Sequence, residues 1–398
     1  MIGYFIPNFY SIDRIGNQWL YLSVITVFTF FYLLIFDDIF LKLKTVFAEK
    51  SMLFYCLFLI WAFVSISYSL NATEALVTFN QYFTVFLTYL FLKCLTENLT
   101  NAKSFILNTF LFLLFFEIVF SLIPILLDLE KGELVFRSMT YSGLAANINI
   151  TAFSLLYKTP ILLYFFTQKK KFQKIILAIL FFSILFIISI LGTRGAFIGL
   201  IICITSFFIY IFSLNKDIFF KVKHLLIISS IIAISIFINF NLVDKGNNVF
   251  SRASSISINT EDGSVNQRLR YYKQGMTHFI NNPFTGVGIG NWKIKSIDYD
   301  KKNIAGYVVP YHAHNDLIQL LTELGILGFL FYSTFIFLSI KDLFIFSYFE
   351  HKINFLLIGS FLVYFLDSLI NFPISRPISQ LFLVLFICLI PKTIRKND

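Results

Sequence analysis

Three arginines and two histidines carry most of the chemistry that this sequence could perform. Gly192-Thr193-Arg194-Gly195 interrupts a long, nearly continuous apolar stretch. The two glycines permit a tight turn, Thr193 is placed to cap the helix that follows, and Arg194 falls in its first turn. An arginine beside the positive end of a helix dipole is locally unfavourable, so the pattern suits a site filled by an anion; an ordinary arginine in a short exposed turn would read the same way. Ser264-Val265-Asn266-Gln267 reads as a capping box, and Leu269, Tyr272, Met276, Phe279 and Ile280 recur at helical spacing. This predicts an amphipathic helix over about 265–281, with Arg268 and Arg270 near its N-terminus. Guanidinium forks and free backbone N–H groups suit a diphosphate, which offers several oxygens to bidentate donors. The plainer alternative is a solvated charged face, which is the better reading for Arg270.

Tyr311-His312-Ala313-His314-Asn315-Asp316 stands at the mouth of the next apolar run. In an extended segment His312, His314 and Asp316 would share a face and could mimic a metal site. No further ligand cluster accompanies them at metal-like spacing, so no metal is expected. His314, with an intrinsic pKa near neutrality and a place at the start of a helix, is the candidate acid–base group. Gly286-Val287-Gly288-Ile289-Gly290 has neither the preceding strand nor the crossover helix of a nucleotide site, so it reads as a glycine-rich turn after Asn282-Pro283.

Membrane helices must position these groups. With 58% hydrophobic residues, 53 phenylalanines and only 14% charged residues, the chain has more apolar surface than a water-soluble core could hide. Apolar runs long enough to cross a bilayer recur near 19–37, 51–70, 78–96, 104–127, 145–167, 174–191, 195–213, 223–241, 317–340, 353–371 and 378–391. The expected fold is therefore an all-α polytopic membrane protein with about 11 to 12 transmembrane helices and one long loop containing the amphipathic helix. It divides into a membrane domain over 1–241, the loop over 242–316 and a second membrane segment over 317–398. The first run has no basic n-region and no small-residue cleavage site, so it reads as a span and not a removable signal.

Alternating the sides gathers Lys42, Lys44, Lys50, Lys93, Lys103, Lys169 to Lys171, Lys174, Lys216, Lys221, Lys223, Lys341, Lys352, Lys392, Arg395 and Lys396 on one face. The short loops opposite contribute only Lys131, Arg137, Arg194 and Arg376, with Arg14 ahead of the first span. The basic face is cytoplasmic by the positive-inside rule, which puts the long loop outside. The net charge of +10 is thus an orientation signal, and no nucleic-acid partner is read from it. Cys56, Cys94, Cys203 and Cys388 all lie inside apolar runs and form no disulfide or zinc pattern. Glu117 and Lys158 lie mid-span, where they either pair with each other or face a polar cavity. Asp367 could likewise pair with Arg376, beyond Asn371-Phe372-Pro373. No internal repeat supports a transporter, and an exporter would spread its polar residues along a central path instead of gathering them on one outer face.

His314-Asn315, nine residues, then Gly325-Ile326-Leu327-Gly328 resembles the H-N-x9-G-x-x-G signature of the O-antigen ligases and their polymerase relatives. Thr193-Arg194-Gly195 is similar to that family's arginine-glycine turn. Arg268 with Tyr272, leading into Asn282-Pro283-Phe284 and Gly286-Val287-Gly288, is similar to its loop arginine, aromatic residue and P-x-x-G-V-G turn. Tyr272 stands where tryptophan is commoner, and eleven runs stand where the family typically has twelve spans. The resemblance implies a glycosyltransferase of the bacterial inner membrane that needs no metal or cofactor and works on the periplasmic side. Its donor would be a glycan on undecaprenyl diphosphate and its acceptor a hydroxyl of lipid A-core or of another glycan, all among membrane lipids. By the same resemblance Arg194, Arg268 and Arg270 would hold the diphosphate and His314 would act on the acceptor hydroxyl. His312, Asn315, Tyr272, Lys158 and Arg376 would support them. Ligase and polymerase share these motifs and differ in acceptor.

Overall fold

The computed structural model describes residues 13–97, 99, 101–242, 263–304, 310–345 and 352–390. The fold is helical throughout these residues: α1 (Arg14–Phe36), α2 (Ile39–Phe47), α3 (Lys50–Ser65), α4 (Ala72–Glu97), α5 (Ala102–Lys131), α6 (Ile148–Gln168), α7 (Lys171–Leu191), α8 (Arg194–Ser213), α9 (Ile218–Leu242), α10 (Gly263–Asn281), α11 (Trp292–Asp300), α12 (Asp316–Ile345), α13 (Asn354–Ile370) and α14 (Pro377–Leu389). In hydrocarbon each backbone polar group must be satisfied within the protein, and a helix does this segment by segment. Nine of the described helices are long and apolar enough to cross a membrane: α1, α3 with its 3-10 extension, α4 to α9, and α12. The last two expected spans are the shorter apolar helices α13 and α14, of 17 and 13 residues. Pro373 and Pro377 bracket the turn between them. The expected spans fall on these eleven helices, and α2 is an additional short helix between the first two.

The chain forms two compact units. The first comprises Met1–Ala102, Ile258–Asp342 and Ser368–Asp398; the second comprises Lys103–Ser257 and Leu343–Asp367. Within the first, hydroxyl pairs tie α1 to α4, Ser23 to Thr84 at 3.1 Å and Thr26 to Thr88 at 2.8 Å. Small polar contacts of this kind hold apolar helices together where the hydrophobic effect offers little. Asp13 caps α1, accepting the N–H groups of Ile15 and Gly16. In the second unit α6 is buried along almost its whole length. It carries the charge read from the sequence: Lys158 Nζ donates to both Glu117 oxygens at 2.9 and 3.0 Å, and to the carbonyl and hydroxyl of Ser154 at 2.8 and 2.9 Å. Lys158 is fully buried, so of the two readings left open the structure shows the paired one. Asp367, in the same unit, accepts from the Tyr157 hydroxyl.

The glycine-rich turn is locked into a break in α12. Gly325 has φ +62° and ψ −166°, outside the helical region, so the helix ladder opens there. Three carbonyls ahead of the break are taken up from outside the helix: Val287 N–H donates to Thr322 O at 2.9 Å, Gly288 N–H to Glu323 O at 2.9 Å, and the Trp61 indole to Leu324 O at 2.8 Å. In return Ile326 N–H donates to Pro283 O at 2.8 Å. Gly286 and Gly325 are required at this crossing. A Cβ on Gly286 would stand 2.5 Å from Thr322 O, and one on Gly325 would stand 2.2 Å from Phe284 O. Two of the sequence motifs, P-x-x-G-V-G and the first glycine of G-x-x-G, are thus halves of one joint.

Candidate active site

The joint positions the histidine segment. Gln319, on the first turn and a half of α12, accepts the Ala313 N–H at 3.0 Å and donates to Glu323 at 3.0 Å; Glu323 in turn accepts the Gly290 N–H at 2.8 Å. Asn315 caps α12 through its Oδ1, which accepts the Ile318 N–H at 3.1 Å, and its Nδ2 donates to Leu369 O at 3.1 Å. His314 lies immediately before this cap with φ +55°, in the left-handed region. For a non-glycine residue that conformation costs roughly 1–3 kcal/mol and persists only where its surroundings fix it. The Tyr272 hydroxyl lies 2.9 Å from both His314 O and Leu369 O, tying α10 to the strained residue. Tyrosine at this position therefore supplies a bond that tryptophan, lacking a hydroxyl, would make differently.

The expected extended face of His312, His314 and Asp316 does not form, because the left-handed turn at His314 breaks the alternation. Both imidazoles pack against Phe372 instead, His312 stacked at 4.2 Å between centroids and His314 edge-on at 5.2 Å. Asp316 turns to accept the Ile374 N–H at 3.1 Å. Among the described residues no group of three or more His, Cys, Asp or Glu is placed to hold a metal ion. Nδ1 of each histidine is buried without a hydrogen-bond partner among the described residues. Burial, then the positive charge of Arg268, pushes His314 down to about 4; burial, then Arg376, pushes His312 to about 3. Both imidazoles are therefore neutral near pH 7, with one ring nitrogen able to accept a hydrogen bond.

The structure sorts the arginines. Arg268 lies on α10, close enough to His314 for its charge to act there. It stands six residues into the described part of the helix, which begins at Gly263. The side chain of Ser264, which opens the capping box, is not among those described. Arg270 is committed elsewhere: its Nε and Nη2 lie 2.8 and 3.2 Å from the two oxygens of buried Asp300, clamping α10 to α11. This pairing fits the sequence's plainer alternative for Arg270, a structural or surface charge, better than the diphosphate set. Arg376 lies 4.8 Å over the Phe372 ring. Arg268, His312, His314, Asn315, Tyr272 and Arg376 thus belong to the first unit and Arg194 to the second. Arg194 begins α8, directly after Gly192 ends α7 in the left-handed conformation. Thr193 occupies the N-cap position but its hydroxyl makes no cap bond. At the same end Arg137 N–H donates to Ile190 O at 3.1 Å, placing a second arginine beside the turn. Sequence reading counted that arginine only as a loop charge, named Phe372 only as part of a turn, and passed over Glu323.

Comparison with known proteins finds similarity to one family. Residues 161–333, which contain Arg194, Arg268, His314 and the α12 joint, match the model of the family described as O-antigen ligase. Relatives similar over most of their length are provisionally named polysaccharide ligases. One from Rickettsia typhi is 26% identical over 77% of this chain and 71% of its own. Another from Rickettsia conorii is 26% identical over 80% and 74%. The matched segment thus draws residues from both units and contains Arg194, Arg268, His312 and His314.

Proposed function

We propose that this protein transfers a glycan from an undecaprenyl-diphosphate carrier to an acceptor hydroxyl on the periplasmic side of the bacterial inner membrane, as an O-antigen ligase acting on lipid A-core. The observation that carries this reading is His314: strained, fixed from three sides, held neutral, with a buried nitrogen that no described residue engages. Such an imidazole orients or deprotonates the attacking hydroxyl. Arg268 beside it binds the donor diphosphate and stabilises the charge that grows there as the glycosidic bond breaks. Arg194, at its own helix start, is a separate requirement for donor binding. Attack on the anomeric carbon is direct, so no covalent enzyme intermediate forms and that centre inverts. Charge neutralisation by arginine, with Asp316 engaged by Ile374, supports a reaction that proceeds without a metal. The complete spacing His314-Asn315, nine residues, Gly325-x-x-Gly328 favours ligase over polymerase.

Two experiments test this. Purified protein given lipid-linked donor and lipid A-core in EDTA should turn over at the rate seen without chelator; loss restored by one divalent ion would refute metal independence. Deleting the gene should leave bare lipid A-core at the surface while glycan accumulates on the carrier. Core bearing a single repeat unit would instead identify a polymerase.

A further inference from the structure

A cavity of about 310 Å³ lies in the first unit, and the reaction outlined above assigns it nothing. Trp19, Gln81, Tyr82, His312, Gln319 and Glu323 contribute to its wall. Its volume is at the lower end of ligand pockets and suits one sugar ring, not an oligosaccharide. His312, whose ring shares Phe372 with that of His314, sets the cavity next to the proposed base.

The polar groups of the wall select among ligands. Trp19 is only 8% exposed, yet its indole N–H has no acceptor among the described residues, whereas buried indoles ordinarily find one. His312 Nδ1 is in the same position. The Glu323 carboxylate is held in place by Gly290 N–H and Gln319, and Asp13 adds a second carboxylate to the wall. Lys293 and Arg376 line the wall as well, but each already has a partner, Lys293 in Glu74 and Arg376 in the Phe372 ring. A phosphate accepts hydrogen bonds only and would meet two carboxylates, so the cavity is a poor diphosphate site. A sugar hydroxyl donates to a carboxylate and accepts from an indole N–H, and the tyrosine and tryptophan rings offer apolar surface to the C–H face of the ring.

We infer that this cavity is the acceptor subsite, holding the terminal sugar ring of the acceptor with Trp19 and Glu323 as its recognising residues. The inference rests on the glycosyl-transfer reading of the same unit. Two measurements on the full-length protein in lipid nanodiscs separate the two. In saturation-transfer NMR, which needs no turnover, a set of methyl glycosides of glucose, galactose and N-acetylglucosamine should include at least one that binds. Trp19→Phe, which keeps the aromatic ring and removes only the N–H, should weaken that binding about tenfold. In transfer assays Trp19→Phe and Glu323→Gln should raise the acceptor KM about tenfold while the donor KM stays within twofold. No glycoside binding to the wild type, or an unchanged acceptor KM in Trp19→Phe, overturns the inference. A rise in donor KM alone overturns it too, by moving the cavity to the donor. Wild-type protein that binds glycosides but transfers nothing counts against the glycosyl-transfer reading and leaves the sugar subsite standing.

Discussion

Both units bury charged or titratable groups, and they treat them in opposite ways. In the second, Lys158 and Glu117 neutralise each other, and Ser154 takes up further donors of the ammonium. The helices that carry them, α5 and α6, run unbroken past two internal prolines, Pro124 and Pro160. In the first, the backbone is broken at Gly325, bent left-handed at His314, and still leaves two imidazole nitrogens and an indole nitrogen without partners. The contrast teaches that a costly intramembrane charge is not in itself a mark of function. What sets the histidine segment apart is a left-handed backbone at His314 together with two titratable side chains, His312 and His314, each with a buried nitrogen unpartnered among the described residues.

The contrast is tested most strongly by removing the groups themselves. His314→Ala, Arg268→Ala and Arg194→Ala should each cut glycan transfer by about 10²–10⁴-fold, with membrane insertion and protein level unchanged. Surface-glycan immunoblots at matched protein level read this directly. Near-normal transfer in either arginine variant would remove that residue from the diphosphate assignment.

The pair in the second unit should respond in the other currency. Glu117→Ala leaves Lys158 buried and unpaired, which costs about 3–5 kcal/mol; thermal unfolding in detergent should show it as a large loss of Tm. Acceptor and donor KM of the surviving folded protein should not move. Replacing both, with Glu117→Leu and Lys158→Met, should recover most of the loss, because well-packed apolar residues replace a buried pair at little cost. A KM change in the double variant would show that the pair faces a substrate after all.

How much of this was legible in the sequence follows from which signals are local. The spans were legible because apolar length is a property of the segment, and α10 was because its period of 3.6 is too; Gly263–Asn281 begins two residues before the expected start. His314 and Arg268 were legible only with the aid of a motif resemblance. Arg270 was not, because its partner Asp300 lies thirty residues on and nothing local shows that the two meet. The joint between Pro283–Gly290 and Gly325 escaped for the same reason: both stretches looked like ordinary glycine turns, and only their crossing explains why glycine is needed. Trp19 and Glu323 reach the cavity wall from α1 and α12, helices whose nearness no spacing encodes.

A smaller effect is expected where the site is propped and not used. Tyr272→Phe removes the hydroxyl that ties α10 to the carbonyl of His314, a loss of about 1 kcal/mol, or roughly fivefold in a rate. The loss should appear in kcat with KM values unchanged, since the ring that packs the helix remains. A change confined to stability would show that the strained conformation at His314 holds without the tyrosine.

The smallest expected change is an absence of change with pH. An ordinary histidine titrates near 6.5, so a solvent-exposed base would lose transfer as the medium is acidified through that value. His314 sits at about 4 because burial and the Arg268 charge disfavour its protonated form. Its imidazole therefore stays neutral and competent between pH 7 and 5, and kcat/KM, which reports the free enzyme, should be flat across that interval and fall only towards pH 4. Neutralising the nearby charge with Arg268→Gln removes one of the two causes and should move the acid limb upward, measurable on whatever residual transfer remains. A limb near 6.5 in the wild type would mean that His314 is open to water in the working protein, and that the burial separating it from an ordinary surface histidine is absent when substrate is turned over.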